Sequence, residues 1–306
     1  MAGILNPYSF ARPLFSRKPY LGIVTTQTVV NTTNGGDLIL IADEDFTRNR
    51  TFWTKDNGTG YYLIANDSTS ESSDVNGVTN FSINGGFGVG SSSLVNASGG
   101  QYVSFSWKEA PLYMDVVKYT GNGTGQTINH NLGTAPRWIL FKNLSSATDW
   151  AIYDYVQGEN KYLTLNSAAN PVLDGNFLAG ATPGASQFTV GTLARNNESG
   201  SRFVAYLFGE VAGQSKFGSY SGTSSSTNID VGFAPSIVLI KSTSGVTENW
   251  LLAQMNGKGW YLNSTNTAFS TAGKGVSLTS TGFSLGATGF YDYNLSGVAY
   301  SYAAWK

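Results

Sequence analysis

The side chains that most often carry out catalysis are scarce in this sequence. His130 is the single histidine and cysteine is absent, so nucleophilic catalysis of the Ser-His-Asp or Cys-His type would depend on His130 alone. No nucleophile-elbow motif surrounds it, and Ile229 occupies the matching position of a sequence repeat described below. We therefore predict that the protein is not an enzyme and that His130 is a turn or strand-edge residue held by local hydrogen bonds.

Acidic clusters are the other candidates for chemistry. Asp43-Glu44-Asp45 directly follows an apolar run and is predicted to be a solvated loop. A glycan depolymerase of the paired-carboxylate type would need two carboxyl groups about 5–10 Å apart, and this pattern does not specify such a pair. The loop 67–76 lacks the ligand spacing of an EF-hand; the alternative there is a calcium ion held by loop carbonyls and one carboxylate. We predict no metal site and no cofactor.

Aromatic residues make up 13% of the chain and fall into two groups. Trp53, Trp150 and Trp250 recur almost periodically and are predicted to anchor hydrophobic cores. The second group lies outside that periodicity and resembles a sugar-stacking site in composition, with rings for the apolar face of a sugar and amides for its hydroxyls. It comprises Trp260, Tyr291 and Tyr293 together with the flanking amides of Asn263 and Asn294.

An internal repeat of about 100 residues provides the elements that would position these side chains. Its landmarks are an apolar strand, a Tyr-Leu pair, a Phe-x-(Val/Leu)-Gly turn and a closing strand with two aromatic residues. The first two landmarks begin at Leu38, Trp138 and Ile237 and at Tyr62, Tyr162 and Tyr261. Four landmarks in one order at one period predict three tandem copies of a single structural unit.

Each copy has the composition of an all-β unit. Short runs rich in β-branched and aromatic residues alternate with Gly, Asn and Ser clusters, and no window shows a sustained helical stripe. We predict three tandem β-sandwich or jelly-roll-like repeats at 23–112, 113–213 and 214–306, the first with a divergent opening strand. The short linkers between them predict units packed end to end.

The segment 1–22 precedes the first predicted repeat. It combines three prolines with aromatic residues that disordered segments usually lack, and we predict an extended arm that docks on a neighbouring protein. The aromatic residues assigned to this docking are Tyr8, Phe10, Phe15 and Tyr20.

Charge and hydropathy exclude several classes of partner. The formal net charge is −1 and charged residues make up 12% of the chain, so no general electrostatic attraction to nucleic acid or anionic membrane is expected. No apolar run is long enough for a membrane span or for the core of a signal peptide. We expect no membrane insertion and synthesis in a cytoplasm without a signal peptide.

The second copy carries a family resemblance. Trp107-Lys108-Glu109-Ala110-Pro111, the run from Asp115 to Gly123, and the run from His130 to Pro136 resemble a tandem β-domain found in tail-fibre-like and other virion proteins of tailed bacteriophages, most of them marine. The resemblance covers residues from about 23 to 306 and is weakest in the third copy. It implies a phage particle as the setting and a homotrimer as the usual assembly, and it supplies no catalytic residues.

The repeat and the composition favour a structural or binding protein, and the resemblance implies that it is a bacteriophage virion structural protein on the particle surface. The leading hypothesis is a tail fibre or appendage subunit that docks on other virion proteins through its arm, forms a homo-oligomer, and presents its sandwiches to a host glycan or receptor. The alternative is a capsid-decorating, cement or head-fibre protein. A third hypothesis is the glycan depolymerase.

Overall fold

The computed structural model describes residues 13–33, 35–287 and 292–306. Strands dominate the described chain, and its two α-helices, α1 (Ser93–Asn96) and α2 (Ala194–Asn197), span one turn each. Two short 3-10 helices cover Lys55–Asn57 and Thr271–Lys274. The predicted all-β fold class is confirmed.

Unit 1 contains two antiparallel sheets. Its nine strands are β1 (Phe15–Leu21), β2 (Gln27–Val30), β3 (Leu38–Asp43), β4 (Thr51–Thr54), β5 (Tyr61–Ile64), β6 (Ser72–Ser73), β7 (Val78–Ile83), β8 (Gly86–Val89) and β9 (Gln101–Trp107). The larger sheet, called the inner sheet, has the order β1-β9-β3-β4-β5-β6, and the smaller outer sheet has the order β2-β8-β7.

Units 2 and 3 repeat this plan. Unit 2 contains β10 (Met114–Thr120), β11 (Gln126–Asn129), β12 (Trp138–Asn143), β13 (Ala151–Asp154), β14 (Lys161–Tyr162), β15 (Val172–Leu173), β16 (Gln187–Val190) and β17 (Arg202–Phe208). Unit 3 contains β18 (Ser215–Ser221), β19 (Thr227–Asp230), β20 (Ile237–Ser242), β21 (Leu251–Gln254), β22 (Lys258–Tyr261), β23 (Phe269–Ser270), β24 (Val276–Leu278), β25 (Gly282–Leu285) and β26 (Ala299–Trp305). The inner sheets are built around β10-β17-β12-β13 and β18-β26-β20-β21-β22-β23, and the outer sheets are β11-β16 and β19-β25-β24.

The inner sheets are covered on both faces, which explains why their central strands are continuous apolar runs rather than alternating ones. Along β3, Leu38 and Leu40 face a core shared by all three units, whereas Ile39 and Ile41 face the outer sheet of unit 1. The strands β12 and β20 divide their side chains in the same way between the shared core and a core of their own unit.

The three inner sheets surround this shared core. The last aromatic residue of each closing strand meets the other two there: the ring of Trp107 lies 6.1 Å from that of Phe208 and 5.5 Å from that of Trp305, and the rings of Phe208 and Trp305 are 5.5 Å apart. The units are therefore arranged side by side around a pseudo-threefold axis. The end-to-end packing expected from the short linkers is wrong, because each inner sheet has a second apolar face that only neighbouring units cover.

The first unit begins earlier than predicted. Phe15–Leu21 pairs with β9 through seven residues, from Phe15 opposite Trp107 to Leu21 opposite Gln101, as β10 pairs with β17 and β18 with β26. Phe15 is buried in the shared core. The docking arm predicted at 1–22 is therefore corrected for its second half, which is a strand of unit 1; Tyr8 and Phe10 lie outside the described residues.

Candidate functional site

Trp260 and Asn263, two members of the predicted sugar-stacking group, are internal structural residues. Trp260 is 0% exposed, and its Nε1 donates to the carbonyl oxygen of Asp43 in unit 1 at 3.2 Å. Asn263 accepts from the main-chain N–H of Trp250 at 2.9 Å and donates to Asn249 Oδ1 at 2.7 Å. Since a ring without an exposed face cannot stack on a sugar, the prediction is wrong for Trp260.

Asn294 belongs to a series of buried amides, one in each unit. Asn294 accepts from the N–H of Thr223 at 3.0 Å and donates to the carbonyls of Ser225 and Gly286, both at 2.8 Å. Asn96 and Asn197 connect the corresponding loops of units 1 and 2 with the same pattern. Asn294 is 1% exposed, so its amide is committed to the fold and is not available to a sugar.

Tyr293 and Tyr20 also take part in a repeated contact. The hydroxyl of Tyr20 donates to the carbonyl of Val95 at 2.7 Å, that of Tyr119 to Asn196 at 2.6 Å, and that of Tyr220 to Tyr293 at 2.8 Å. Tyr293 is 0% exposed. Neither the stacking role predicted for Tyr293 nor the docking role predicted for Tyr20 fits these positions. Tyr291 lies outside the described residues.

Buried cations form hydrogen bonds across the contacts between units, which we call seams. Lys142 Nζ donates to the carbonyl of Ser68 in unit 1 at 2.8 Å, and Lys241 Nζ donates to that of Ala168 in unit 2 at 2.9 Å. Burial lowers the pKa of both amines to about 8. These contacts join unit 2 to unit 1 and unit 3 to unit 2, where carbonyl oxygens replace the water that a charged amine would otherwise bind.

The third seam uses a different residue for the same purpose. Arg50 donates to the carbonyl of Asn266 in unit 3, and burial lowers the pKa of its guanidinium to about 10. Arg50 precedes β4 as Trp150 precedes β13 and Trp250 precedes β21. The indole Nε1 of each of these tryptophans donates to a carbonyl of the preceding unit at 2.8 Å.

His130 has the environment predicted for it. Its Nε2 lies 3.2 Å from the carbonyl oxygen of Gly184, and its Nδ1 accepts from the N–H of Leu132 at 3.3 Å. The residue is 5% exposed, and burial lowers the pKa of the imidazole. Both ring nitrogens are occupied by neighbouring main chain, so the prediction of a locally bonded histidine is confirmed.

The acidic run after β3 is not the solvated loop that was predicted. Asp43 is buried and binds Arg48 Nε at 2.9 Å, while Glu44 forms an ion pair with Lys258 of unit 3 at 2.6 Å. Of the three, only Asp45 is exposed. The reason is the neighbouring unit, whose contact with this loop removes it from water.

Unit 3 carries a cleft of about 290 Å³ on its outer sheet. It is bordered by β19, β25, β24 and the 3-10 helix Thr271–Lys274. Hydroxyl, amide and glycine positions dominate its lining, which comprises Ser226, Thr227, Asn228, Ala272, Gly275, Ser277, Ser284, Leu285 and Gly286. None of these side chains titrates near neutral pH, so the cleft is suited to binding a neutral polar molecule and not to acid–base catalysis.

Across residues 13–33, 35–287 and 292–306, no group of three or more histidine, aspartate or glutamate side chains is placed to hold a metal ion. Within those ranges, too, no helix has the length and apolarity that crossing a membrane requires.

The fold is that of an all-β protein in which three similar units enclose one core, and unit 3 carries a polar, uncharged cleft. The chain belongs to the family described as domain of unknown function DUF7483, whose profile matches residues 12–306. The matched range includes β1 and so agrees with the structural start of unit 1. A comparison with curated proteins finds no match.

Proposed function

We propose that this protein is a structural component of a tailed-bacteriophage particle, with the role of a tail fibre or appendage subunit that contacts the host surface. The observation that carries the proposal is the pseudo-threefold core, in which Trp107, Phe208 and Trp305 of the three units meet. Phage appendages of the kind this sequence resembles are usually homotrimers, and one chain with three units around an axis has the matching symmetry.

The distribution of polar side chains supports a scaffold that binds without catalysing. The buried amides and cations described above are bonded to main chain within and between units, and His130 is occupied by Gly184 and Leu132. What remains toward solvent is a surface rich in Ser, Thr, Asn and Gly. In saline surroundings, where charges are screened within about 10 Å or less, such a surface binds by hydrogen bonding.

A threefold object also fits the local threefold positions of an icosahedral shell, which keeps capsid decoration as the second candidate. Copy number separates the two roles, because a fibre is present in tens of copies per particle and a decoration protein in hundreds. Quantitative mass spectrometry of purified particles, combined with gold-labelled antibody imaging, measures both number and position.

We expect label on the tail and tens of copies. Label spread over the head with hundreds of copies would replace the fibre role by decoration. Absence of the protein from purified particles would overturn both roles, and release of reducing ends from host polysaccharide by the pure protein would establish the depolymerase instead.

A further inference from the structure

The cleft of unit 3 is the feature that the scaffold role leaves unexplained. We propose that it binds one neutral sugar residue of a surface glycan, through its Ser, Thr and Asn side chains. This inference deepens the proposed attachment role and rests on it for its biological setting.

The first support is a difference between the units at one position of the outer sheet. Gln126 in unit 2 donates from Nε2 to the carbonyl of Thr120 and to Asn197 Oδ1, both at 2.9 Å. Gln27 makes the same two contacts in unit 1, to Leu21 and Asn96. A glutamine amide therefore ties this strand to the buried asparagine in both units.

Unit 3 has Thr227 at this position. Its shorter side chain donates to the carbonyl of Ser225 at 3.0 Å and lies 3.0 Å from Thr223 Oγ1, so it stays within its own loop. In the part of unit 3 that the structure describes, no side chain reproduces the long amide of the other two units at this position, and Thr227 forms part of the cleft wall.

The second support is the loss of a carboxylate. Asp74 and Asp174 donate from their main-chain N–H to Gly60 and Asn160, and their side chains accept from Asn76 N at 3.0 Å and Asn176 N at 2.9 Å.

In unit 3 the residue that makes the corresponding main-chain contact, to Gly257, is Thr271. Lys274, which directly precedes the lining residue Gly275, is paired with Asp292 at 3.1 Å. Thr271 is buried next to the lining residue Ala272, and the lining that the described residues form contains no charged side chain.

The polar, uncharged lining of the cleft indicates which class of ligand it can bind. Hydroxyl and amide groups both donate and accept, as sugar hydroxyls require, whereas an acidic sugar would find no unpaired cation in the lining. The exposed Ala272 offers apolar surface to the C–H face of a ring. The volume lies at the lower end of the roughly 300–1,000 Å³ typical of ligand pockets and suits a single residue. Among the described residues, the lining contains no aromatic ring. Affinity for one sugar will therefore be weak, and many copies on a particle would be needed for attachment.

The test fills the cleft with the side chain that the other units already use. Thr227→Gln introduces the long amide into unit 3, and Thr127→Gln, at an exposed position of β11 in unit 2, is the matched control. A third variant, Ser277→Ala with Ser284→Ala, removes two hydroxyls without adding bulk. Each purified protein, displayed multivalently on fluorescent beads, is applied to an array of glucans, galactans, mannans and N-acetylglucosamine oligomers beside uronic-acid and sialic-acid polymers.

We expect binding to at least one neutral glycan, reduced tenfold or more by Thr227→Gln and by the double serine variant and unchanged by Thr127→Gln. Binding confined to acidic polymers, binding unaffected by Thr227→Gln, or no binding to any neutral glycan would overturn the inference. Circular dichroism of each variant checks that the fold is retained. A protein that binds glycans yet is absent from particles would contradict the proposed function alone, and a particle protein without glycan binding would contradict this inference alone.

Discussion

The buried asparagine of each unit connects three stretches of backbone that would otherwise leave polar groups unpaired. Asn197 accepts from the N–H of Asn122 at 2.9 Å and donates to the carbonyls of Thr124 and Gly191. Its side chain has no exposed surface. Because buried amides and carbonyls must be hydrogen-bonded, this single residue determines the geometry of the outer-sheet loops.

Replacing Asn197 by alanine is expected to lower the free energy of unfolding by about 3 kcal/mol, since each buried carbonyl that loses its donor costs about 1–3 kcal/mol. Urea denaturation followed by tryptophan fluorescence measures the change. Asn131→Ala, at an exposed position, is the control and should stay within about 0.5 kcal/mol of the parent. Equal stabilities for the two variants would contradict the anchoring role.

The seam lysines make stability depend on pH in a defined direction. Burial lowers the pKa of Lys142 and of Lys241 to about 8, although Asp149 and Asp67 act on the first and Glu248 on the second to raise it. An unfolded lysine titrates near 10.4. Between about pH 8 and pH 10 the unfolded chain therefore holds more protons, and the free energy of unfolding contributed by these amines rises with pH.

We expect this rise to disappear in the double variant Lys142→Met, Lys241→Met. The measurement is the urea midpoint between pH 7.5 and 9.5, a range chosen to stay below the titration of unfolded tyrosines near pH 10. Lys161→Met, at an exposed position, should keep the slope of the parent. A slope shared by the double variant and the parent would show that the amines are not charged and buried as described.

Each opening strand is followed directly by a glycine that lies against the backbone of a neighbouring loop. A Cβ at Gly22, Gly121 or Gly222 would lie 1.9, 2.2 or 2.1 Å from the carbonyl oxygens of Ala97, Glu198 and Leu295. The requirement is one of space, because no side chain fits against those carbonyls. Together with the preceding tyrosines, these glycines form a Tyr-x-Gly signature of all three units.

Gly121→Ala is therefore expected to destabilise the protein by about 1–3 kcal/mol, the usual cost of overpacking. Thermal unfolding followed by circular dichroism measures it. Gly125→Ala, four residues further on, would meet only the carbonyl oxygen of Val190 at 3.9 Å and should change stability by about 1 kcal/mol or less. Similar losses at both glycines would refute the steric explanation.

The first strand is predicted to be indispensable. A chain beginning at Ile23 lacks all seven pairs between β1 and β9 and exposes the ring of Trp107, which packs on Phe15 at a centroid distance of 5.1 Å. We expect it to be insoluble or to lose its near-ultraviolet circular dichroism. A chain beginning at Pro13 retains every contact described for β1 and is the control; native spectra for both would restore the arm hypothesis.

The sequence predicted the positions of the strands better than it predicted which residues correspond to each other in the three units. The apolar runs at Leu38, Trp138 and Ile237 were located correctly because a strand buried on both faces needs no alternation. The Tyr-Leu landmark misled: in unit 3 Trp260, not Leu262, lies opposite Leu252, as Leu63 lies opposite Phe52 in unit 1. A shift of two residues keeps the same face of a strand, so the pattern carries no signal that would detect it.

The prediction of a sugar-stacking group is wrong for a related reason, because residues of unit 3 were matched to the wrong positions of the other units. Tyr293, which is predicted to lie outside the repeat, and the flanking Asn294 match Val95 and Asn96 of unit 1 once the short deletion in unit 3 is recognised. Both are buried, as Val95 and Asn96 are. The sequence signal that would have revealed the opening strand of unit 1 is Tyr20-Leu21-Gly22, which matches Tyr119-Thr120-Gly121 and Tyr220-Ser221-Gly222.

The cleft of unit 3 had no sequence signal of its own, since its lining comes from separate parts of that unit.

At the scale of the whole molecule, no unit can bury its inner sheet alone. In unit 2 the shared core receives Trp138, Leu140, Trp150 and Tyr206, which would face water in an isolated fragment. Similar surfaces in units 1 and 3 make the three inner sheets mutually dependent. The contacts predict a single cooperative transition for the chain.

Residues 113–213 expressed alone are expected to bind 1-anilinonaphthalene-8-sulfonate and to lack a cooperative melt, as loosely packed states do. The full chain should show one transition whose calorimetric and van't Hoff enthalpies agree. A folded, cooperatively melting fragment, or three separate transitions in the full chain, would contradict the shared core.

Covalent connection of the units has a consequence for how the molecule can diverge. In an assembly of three identical chains every substitution occurs three times. Here Thr227 of unit 3 occupies the position that Gln27 has in unit 1 and Gln126 has in unit 2. One unit can therefore acquire a feature while the other two keep the arrangement that they share. The molecule keeps the threefold shape of a trimer, but the cleft next to Thr227 occurs once per chain. Any gain in avidity must therefore come from the number of chains displayed together.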